Sequence, residues 1–408
     1  MISGSLPSLQ SPTLVFRHYV LTNLQYWRDY ITARPTDTAA LDRARSRIMT
    51  GISFALELEE AWPLVRELIE TLSPYMERGG YWQSWQWVLS RAVEAAQRVN
   101  DVAGSVSLLL LLARLLQRQS DFKLAVARYR QTIRLAGQVG DKFNKARACS
   151  NLGFLYTELG HWWRAKILCC YALAIFEQFN SAHGRAHTEN HLGILYIWQN
   201  HWESARQHLE RACEIWQDMG DNYGLLYGLI NLGSLNDDME RPDQALFYLE
   251  KALELAKLVG EEVQMANIYM NMSIAYRVKG ELDTAATYIW RAEAIFRRFV
   301  NLVGMAQIQD NLGLIYLYQG KWSEAKSYLC SAFAAWDGLG NDYGKIRNLS
   351  YLVEYELVKG DRRQAARQLA EIERLISSPG KQGDHWQSLL TRCRRSLSEP
   401  ATSNAAAD

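Results

Sequence analysis

The sequence predicts an all-α solenoid, in which about eight helical hairpins stack side by side. Three observations predict this fold: one residue pattern recurs every forty residues in constant register, its apolar residues follow helical spacing, and prolines are sparse. The turn column of the pattern holds Gly80, Ser120, Gly160, Asn200, Glu240, Gly280, Gly320 and Gly360. The column five residues later is almost entirely alanine, with Trp85, Ala125, Ala165, Ala205, Ala245, Ala285, Ala325 and Ala365.

One copy of the pattern, at 311–332, shows how each hairpin is built. Residues spaced by three and four fall on one face of a helix, and a glycine at 320 supplies the positive φ that ends the first helix. Small residues allow the two helices to approach closely, and large ones fill the seam between them. The facing residues are Leu312, Gly313 and Tyr316 on the first helix and Ala325, Leu329 and Ala332 on the second.

The pattern resembles the tetratricopeptide-repeat family. The L-G-x-x-Y element of that family is matched by Leu152-Gly153 with Tyr156, Leu192-Gly193 with Tyr196, and Leu312-Gly313 with Tyr316. The early Trp and the closing Pro of the family motif are absent here, and the repeat is forty residues long. This long form is similar to kinesin light chains and to the sensor arrays of bacterial signal-transduction (STAND) ATPases. The resemblance implies a right-handed superhelix with a concave face that binds partners.

In chain order, the composition predicts five segments. Residues 1–12 are expected to be a flexible tail, and 13–58 a helical cap of two helices separated at Pro35. Residues 59–378 are expected to form the eight-repeat array, and 383–398 a capping helix at its far end. A disordered tail is expected at 399–408.

The overall charge and the cysteines exclude several classes of protein. A net charge of +1 provides no field for nucleic acid or an anionic membrane, so neither is an expected partner. The six cysteines lack disulfide or zinc-site spacing, and no secretory signal is visible at the start, so we expect a cytoplasmic location. No P-loop, G-x-S-x-G or H-E-x-x-H motif occurs, so we expect neither an enzyme nor a cofactor.

The resemblance places a set of first-helix residues in the concave groove. The column before the Leu-Gly pair is rich in asparagine, whose amide can pair with a peptide backbone whatever its side chains. The alternative, that this column only fixes the stacking of repeats, stays open, as does packing of some apolar residues on the next repeat. The predicted partner-binding residues are Asn151, His191, Asn231, Asn271, Asn311, Arg147, Tyr227, Ile194, Trp198, Ile274, Leu314 and Tyr318.

Three histidines, His183, His187 and His191, share one helical face at spacings of four residues. That spacing can chelate a metal. No Cys or carboxylate at a comparable spacing completes a site, so we expect a solvated or groove-lining role and no metal.

The sequence therefore predicts a non-catalytic scaffold or sensor that binds a protein or an extended peptide in its groove, as part of a bacterial signalling system. The alternatives are a peptide-responsive regulator and a structural scaffold that self-associates into a homo-oligomer. A metal-dependent enzyme built on the histidine run is a further alternative.

Overall fold

A computed structural model describes residues 12–34, 37–377 and 384–398, and all regular structure within these ranges is helical. The predicted tails lie outside the described residues, apart from Pro12. The helices are α1 Pro12–Thr32, α2 Thr38–Ala55, a short 3-10 helix Glu59–Ala61, α3 Trp62–Arg78, α4 Trp82–Arg98, α5 Val102–Arg118, α6 Phe122–Gln138, α7 Lys142–Glu158, α8 Trp162–Gln178, α9 Ala182–Trp198, α10 Trp202–Asp218, α11 Asn222–Asp238, α12 Pro242–Val259, α13 Glu262–Val278, α14 Leu282–Arg298, α15 Leu302–Tyr318, α16 Trp322–Gly338, α17 Asp342–Val358, α18 Arg362–Ile376 and α19 Asp384–Ser398. The prediction of an all-α helical-repeat solenoid is confirmed.

The turns of the array are more regular than the forty-residue pattern indicates. Every multiple of twenty from 80 to 360 has a positive φ, so the turns between hairpins use the same geometry as the turns within them. Glycine or asparagine, which tolerate this region, occupies most of these positions. The exceptions are Ser120, Glu240 and Val300, with φ of 62°, 54° and 51°.

Side-chain caps start many of the first helices of the hairpins. The side chain just before the helix accepts a hydrogen bond from the backbone N–H three residues on, which satisfies one of the unpaired donors of the first turn. Asp221, for example, accepts from Gly224 at 2.9 Å, and Asn301 accepts from Gly304 at 2.9 Å. Asp101, Ser181 and Asn341 cap other first helices in the same way, and Asp121 and Asp361 cap two of the second helices.

The chain divides into two compact units, one up to Ala148 and one from Cys149, and the division falls inside α7. In the first unit, hydroxyls of Tyr75 and Tyr81 donate to Asp42 at 2.5 and 2.6 Å, which ties α2 to the start of the array. Asp37 caps α2 by accepting from the N–H of Ala40.

Within the second unit, the two helices of a hairpin meet at the predicted small residues. A Cβ added to Gly313 would lie 2.6 Å from Cγ of Leu329, well inside van der Waals contact. Gly193 and Gly233 have the same relation to Leu209 and Leu249. These glycines therefore set the distance between the paired helices.

Successive hairpins of the second unit meet through an aromatic ring that lies on a glycine. The rings belong to second helices and the glycines to the first turn of the next helix, so each pair joins neighbouring repeats. The pairs are Phe176 with Gly184, Trp216 with Gly224, Phe296 with Gly304 and Trp336 with Gly344. Where alanine replaces the ring, at Ala136 and Ala256, a larger residue replaces the glycine, at Asn144 and Gln264. We call these four pairs the ring–glycine contacts.

Among the described residues, none of the helices has both the length and the apolarity that crossing a membrane requires.

Candidate partner-binding face

The first helices of the second unit curve round to face one another. The rings of Trp198, at the end of α9, and Tyr343, at the start of α17, have centroids 4.3 Å apart. Three other first helices, α11, α13 and α15, lie between these two in sequence. A contact across them requires the row to bend inward. We call the surface of α9, α11, α13, α15 and α17 on this side the inner face.

The asparagine column contains side chains that already have partners. Nδ2 of Asn231 donates to Oδ1 of Asn190, on the neighbouring first helix, at 2.8 Å. Nδ2 of Asn311 donates to the carbonyl of Gln307 at 2.9 Å, and its side chain is buried. Asn151 and Asn271 are half-buried. Each of these bonds uses one of the two N–H groups of the amide, so the amide oxygen and the second N–H of Asn231 and Asn311 remain for other partners.

His191, in the same column, is part of the interior. Its ring stacks on Phe154 with centroids 4.9 Å apart, and its Nδ1 lies 3.0 Å from Oγ of Ser150. Burial disfavours the imidazolium and lowers the pKa of His191 to about 4. His191 is therefore neutral near pH 7 and points away from His183 and His187.

The remaining predicted residues differ in exposure. Ile194 and Ile274 are half-buried, whereas Leu314 is 3% exposed and packs in a core cluster with Leu317 and Leu352. Tyr318 is exposed, and its hydroxyl donates to Glu354.

Two of the predicted residues have polar partners on first helices: Tyr227 on the first helix of the next hairpin, and Arg147 on its own helix. The hydroxyl of Tyr227 accepts from Nε2 of Gln264 at 3.3 Å. Arg147 belongs to the first unit and donates to Asn144 at 3.0 Å. Burial and the nearby Arg114 lower the pKa of Arg147.

An acidic pair, Asp237 and Asp238, lies at the end of α11. Burial, and then the charge of Asp238, raise the pKa of Asp237 to about 8, and Arg277 only partly offsets this. Among the described residues, no hydrogen-bond donor reaches either carboxylate oxygen of Asp237. Asp238 keeps more contact with solvent; desolvation of its carboxyl group, partly offset by the charge of Arg347, raises its pKa to about 6. Near pH 7, Asp237 is therefore mainly protonated and Asp238 mainly ionised, and none of the described residues bonds a cation to either.

An ion pair between Arg347 and the buried Asp310 links α17 to α15. Arg347 approaches Asp310 to 3.6 Å, and Asp310 also accepts from Nε1 of Trp336 at 2.8 Å and from Asn348 at 2.7 Å. Burial opposes the charged form of Arg347, but Tyr351 and Asp310 stabilise it and raise its pKa. The pair fixes the start of α17, which carries Tyr343.

Several of these partners were not predicted. Asn190 lies one residue before the asparagine column, in which His191 takes the corresponding position. Comparison of residues within that column therefore could not predict the bond between Asn190 and Asn231. Tyr343 touches Trp198 across 145 positions of sequence, a pairing that no local pattern contains. Oδ2 of Asp221 lies 4.0 Å from Nε2 of His183, a contact that the sequence did not indicate because Asp221 belongs to a turn column rather than to the histidine helix.

Models of the tetratricopeptide repeat match residues 184–257 and 264–337, and a second such model matches residues 108–143. These segments are tetratricopeptide repeats, which confirms the resemblance seen in the sequence. No curated protein matches the chain.

Solved structures of similar fold include a Rap protein complexed with competence and sporulation factor, with a TM-score of 0.59, 14% identity, and coverage of 93% of this chain and 98% of that one. The Rap conjugation gene regulator of plasmid pLS20, in complex with the Phr* peptide, has a TM-score of 0.58 and 15% identity over 88% of this chain and 98% of that one. A STAND protein with a tetratricopeptide repeat sensor, from Pyrococcus horikoshii, has a TM-score of 0.50 and 15% identity over 87% of this chain and 55% of that one. At such identities, these likenesses establish the fold.

Proposed function

We propose that the inner face of the second unit binds an extended peptide or a peptide segment of a partner protein, without catalysis of its own. The observation that carries the proposal is the combination, on one concave surface, of amide side chains with an acidic pair to which none of the described residues bonds a cation. Amides read a peptide backbone, and carboxylates select a basic side chain or a free amino terminus.

The similar structures support this proposal at the level of fold. Two of them are complexes, the Rap protein with competence and sporulation factor and the Rap conjugation regulator with the Phr* peptide. Both chains are covered almost completely by this one, and in the second protein this architecture binds a peptide. We extend the proposal to a role for this chain as the recognition part of a signalling system.

The contact between Trp198 and Tyr343 bears on how a ligand enters. Because the two rings bridge the ends of the first-helix row, a peptide on the inner face either lies beside this contact or displaces it. Displacement changes the spacing of α9 and α17, and this motion would couple binding to the shape of the array.

The test is to select binders from a display library of random short peptides and to measure their affinity by fluorescence anisotropy. The double variant Asn231→Ala with Asn271→Ala should weaken binding by at least about tenfold, roughly 1.4 kcal/mol. Asn190→Ala is the matched control, because it removes the same bond between Asn190 and Asn231 but leaves the amide of Asn231 in place.

Retained affinity in the double variant, or equal loss in Asn190→Ala, would show that the asparagines only fix repeat stacking. Light scattering of the free protein over a range of concentrations separates the proposal from a self-associating scaffold, for which the mass should rise with concentration.

A further inference from the structure

Two histidines and one carboxylate converge at the junction of two repeats. His183 and His187 lie on successive turns at the start of α9, and their Nε2 atoms are 3.2 Å apart. Asp221 precedes α11, and its Oδ2 is 4.0 Å from Nε2 of His183. The three ligand atoms all lie within 4.8 Å of one another. In the part of the chain that the structure describes, this is the one group of three such side chains.

The spacing matches what a divalent transition metal needs. Bonds of about 2.0–2.1 Å at tetrahedral angles place two ligand atoms roughly 3.3 Å apart. The two imidazole nitrogens already meet this value. The distance of 4.0 Å between Nε2 of His183 and Oδ2 of Asp221 exceeds this value by less than about 1 Å. His183 is an exposed side chain that can rotate to shorten this distance.

Two of the three ligands are held in place by other contacts. Oδ1 of Asp221 accepts the N–H of Gly224 at 2.9 Å, which directs Oδ2 away from the helix and toward the histidines. The ring of His187 packs edge-on against buried Trp216, with centroids 5.2 Å apart. Such outer contacts orient metal ligands before the metal arrives. Metal binding would still require the three ligand atoms, which lie within 4.8 Å of one another, to approach by up to roughly 1.5 Å.

We propose that His183, His187 and Asp221 bind one divalent transition-metal ion, with Zn²⁺ as the ion that this donor set suits and water completing its coordination. Two imidazoles with one carboxylate favour Zn²⁺ and its neighbours over Mg²⁺ or Ca²⁺, which prefer oxygen ligands. His191, which the sequence places on the same helical face, is not a ligand because its ring is buried beside Ser150.

The bound ion would link two repeats. His183 and His187 belong to α9, whereas Asp221 begins α11, so the metal adds a bond across the Trp216–Gly224 junction. An ion that binds only the folded chain raises its stability with concentration. The site thus provides metal-dependent stiffening of one junction of the array.

The test uses the untagged full-length protein, first freed of metal by a chelator. Calorimetric titration with Zn²⁺ should show one equivalent bound, and thermal unfolding should shift upward with Zn²⁺. Co²⁺ in place of Zn²⁺ should give visible absorption bands that report the coordination geometry. His183→Ala should lower the affinity by at least about tenfold, because a lost ligand costs no less than a lost outer contact.

Asp221→Asn is the sharper variant. Asparagine caps the corresponding helices at Asn301 and Asn341, so this variant retains the cap and loses the anionic ligand. It should fold as the wild type does and bind Zn²⁺ at least about tenfold more weakly. His201→Ala, an exposed histidine outside the group, should bind as the wild type does. Equal Zn²⁺ affinity in all four proteins, or no Zn²⁺ binding by the wild type, would overturn the proposal.

Discussion

Replacing Gly224 by alanine tests whether the ring–glycine contacts hold neighbouring repeats together. The new Cβ would lie 2.1 Å from Nε1 and 2.2 Å from Cδ1 of Trp216. Carbon atoms in van der Waals contact are about 3.5–4.0 Å apart, so the added Cβ would overlap the indole ring by more than about 1 Å. The indole of Trp216 is fully buried, and its close-packed surroundings leave it little room to retreat.

The expected net cost follows from two opposing effects. Overpacking of a core costs about 1–3 kcal/mol. Exchanging glycine for alanine within a helix returns up to about 1 kcal/mol. We therefore expect Gly224→Ala to lower the free energy of unfolding by about 1–2 kcal/mol. The control is Gly137→Ala, because no atom lies within 4 Å of the Cβ that it adds, and it should be neutral or stabilising.

The assay is equilibrium urea unfolding followed by far-ultraviolet circular dichroism, with the m-value checked in each variant because repeat arrays can unfold in stages. A double-mutant cycle with Trp216→Ala isolates the contact, since the clash disappears once the ring is removed. In that background, Gly224→Ala should become neutral or stabilising. Equal stability of the Gly224 and Gly137 variants, or an unchanged penalty without the indole, would refute the reasoning.

Three further predictions concern the turns and the inner face. Val300→Asn should raise the free energy of unfolding by about 1 kcal/mol, because a β-branched residue is strained at a φ of 51°. The side chain of Val300 is exposed, so its replacement loses little packing. An unchanged midpoint of urea unfolding would contradict this prediction. The pKa of Asp237 rises from 3.8 to about 8 on folding, so the folded state binds the extra proton between these values and wild-type stability should fall as the pH rises from 4 to 8. Asp237→Asn should remove that fall, so the stability of the variant should exceed that of the wild type by more at pH 9 than at pH 5. An equal difference in stability at the two pH values would contradict the prediction that the buried carboxyl group of Asp237 causes the fall. Single and double replacement of Trp198 and Tyr343 by leucine should give a coupling energy of about 0.5–1.5 kcal/mol in the same unfolding assay, and additive effects would mean that the rings do not interact.

The fold could be predicted from the sequence because its determinants are local. Positive φ at Gly320, the close approach at Gly313 and the helical spacing of Leu312 all appear within a few residues of one another. The ring–glycine contacts were not predicted, although rings and glycines eight residues apart recur at four junctions, because the pattern becomes informative only when two repeats are compared together. The same holds for the second set of turns, at Gly220 and its equivalents.

The arrangement of the inner face could be predicted only in part. Helical spacing identifies the face on which Asn231 lies, but it does not identify Asn190 as its partner. It also could not indicate that Leu314 enters the core while Tyr318 remains exposed, because this depends on the angle between successive hairpins. The contact of Trp198 with Tyr343 depends on that angle accumulated over several repeats. The function of the predicted partner-binding residues stays a prediction.

The constant twenty-residue spacing of the turns limits how the gene for this chain can change. Losing one codon inside a helix turns every later side chain by about 100° relative to the residues it should meet. Point substitutions leave the spacing intact, whereas frame-preserving gains or losses should be tolerated mainly in blocks of forty residues. Such blocks lengthen or shorten the array by whole hairpins, so the length of the inner face can change while the contacts between neighbouring repeats stay the same.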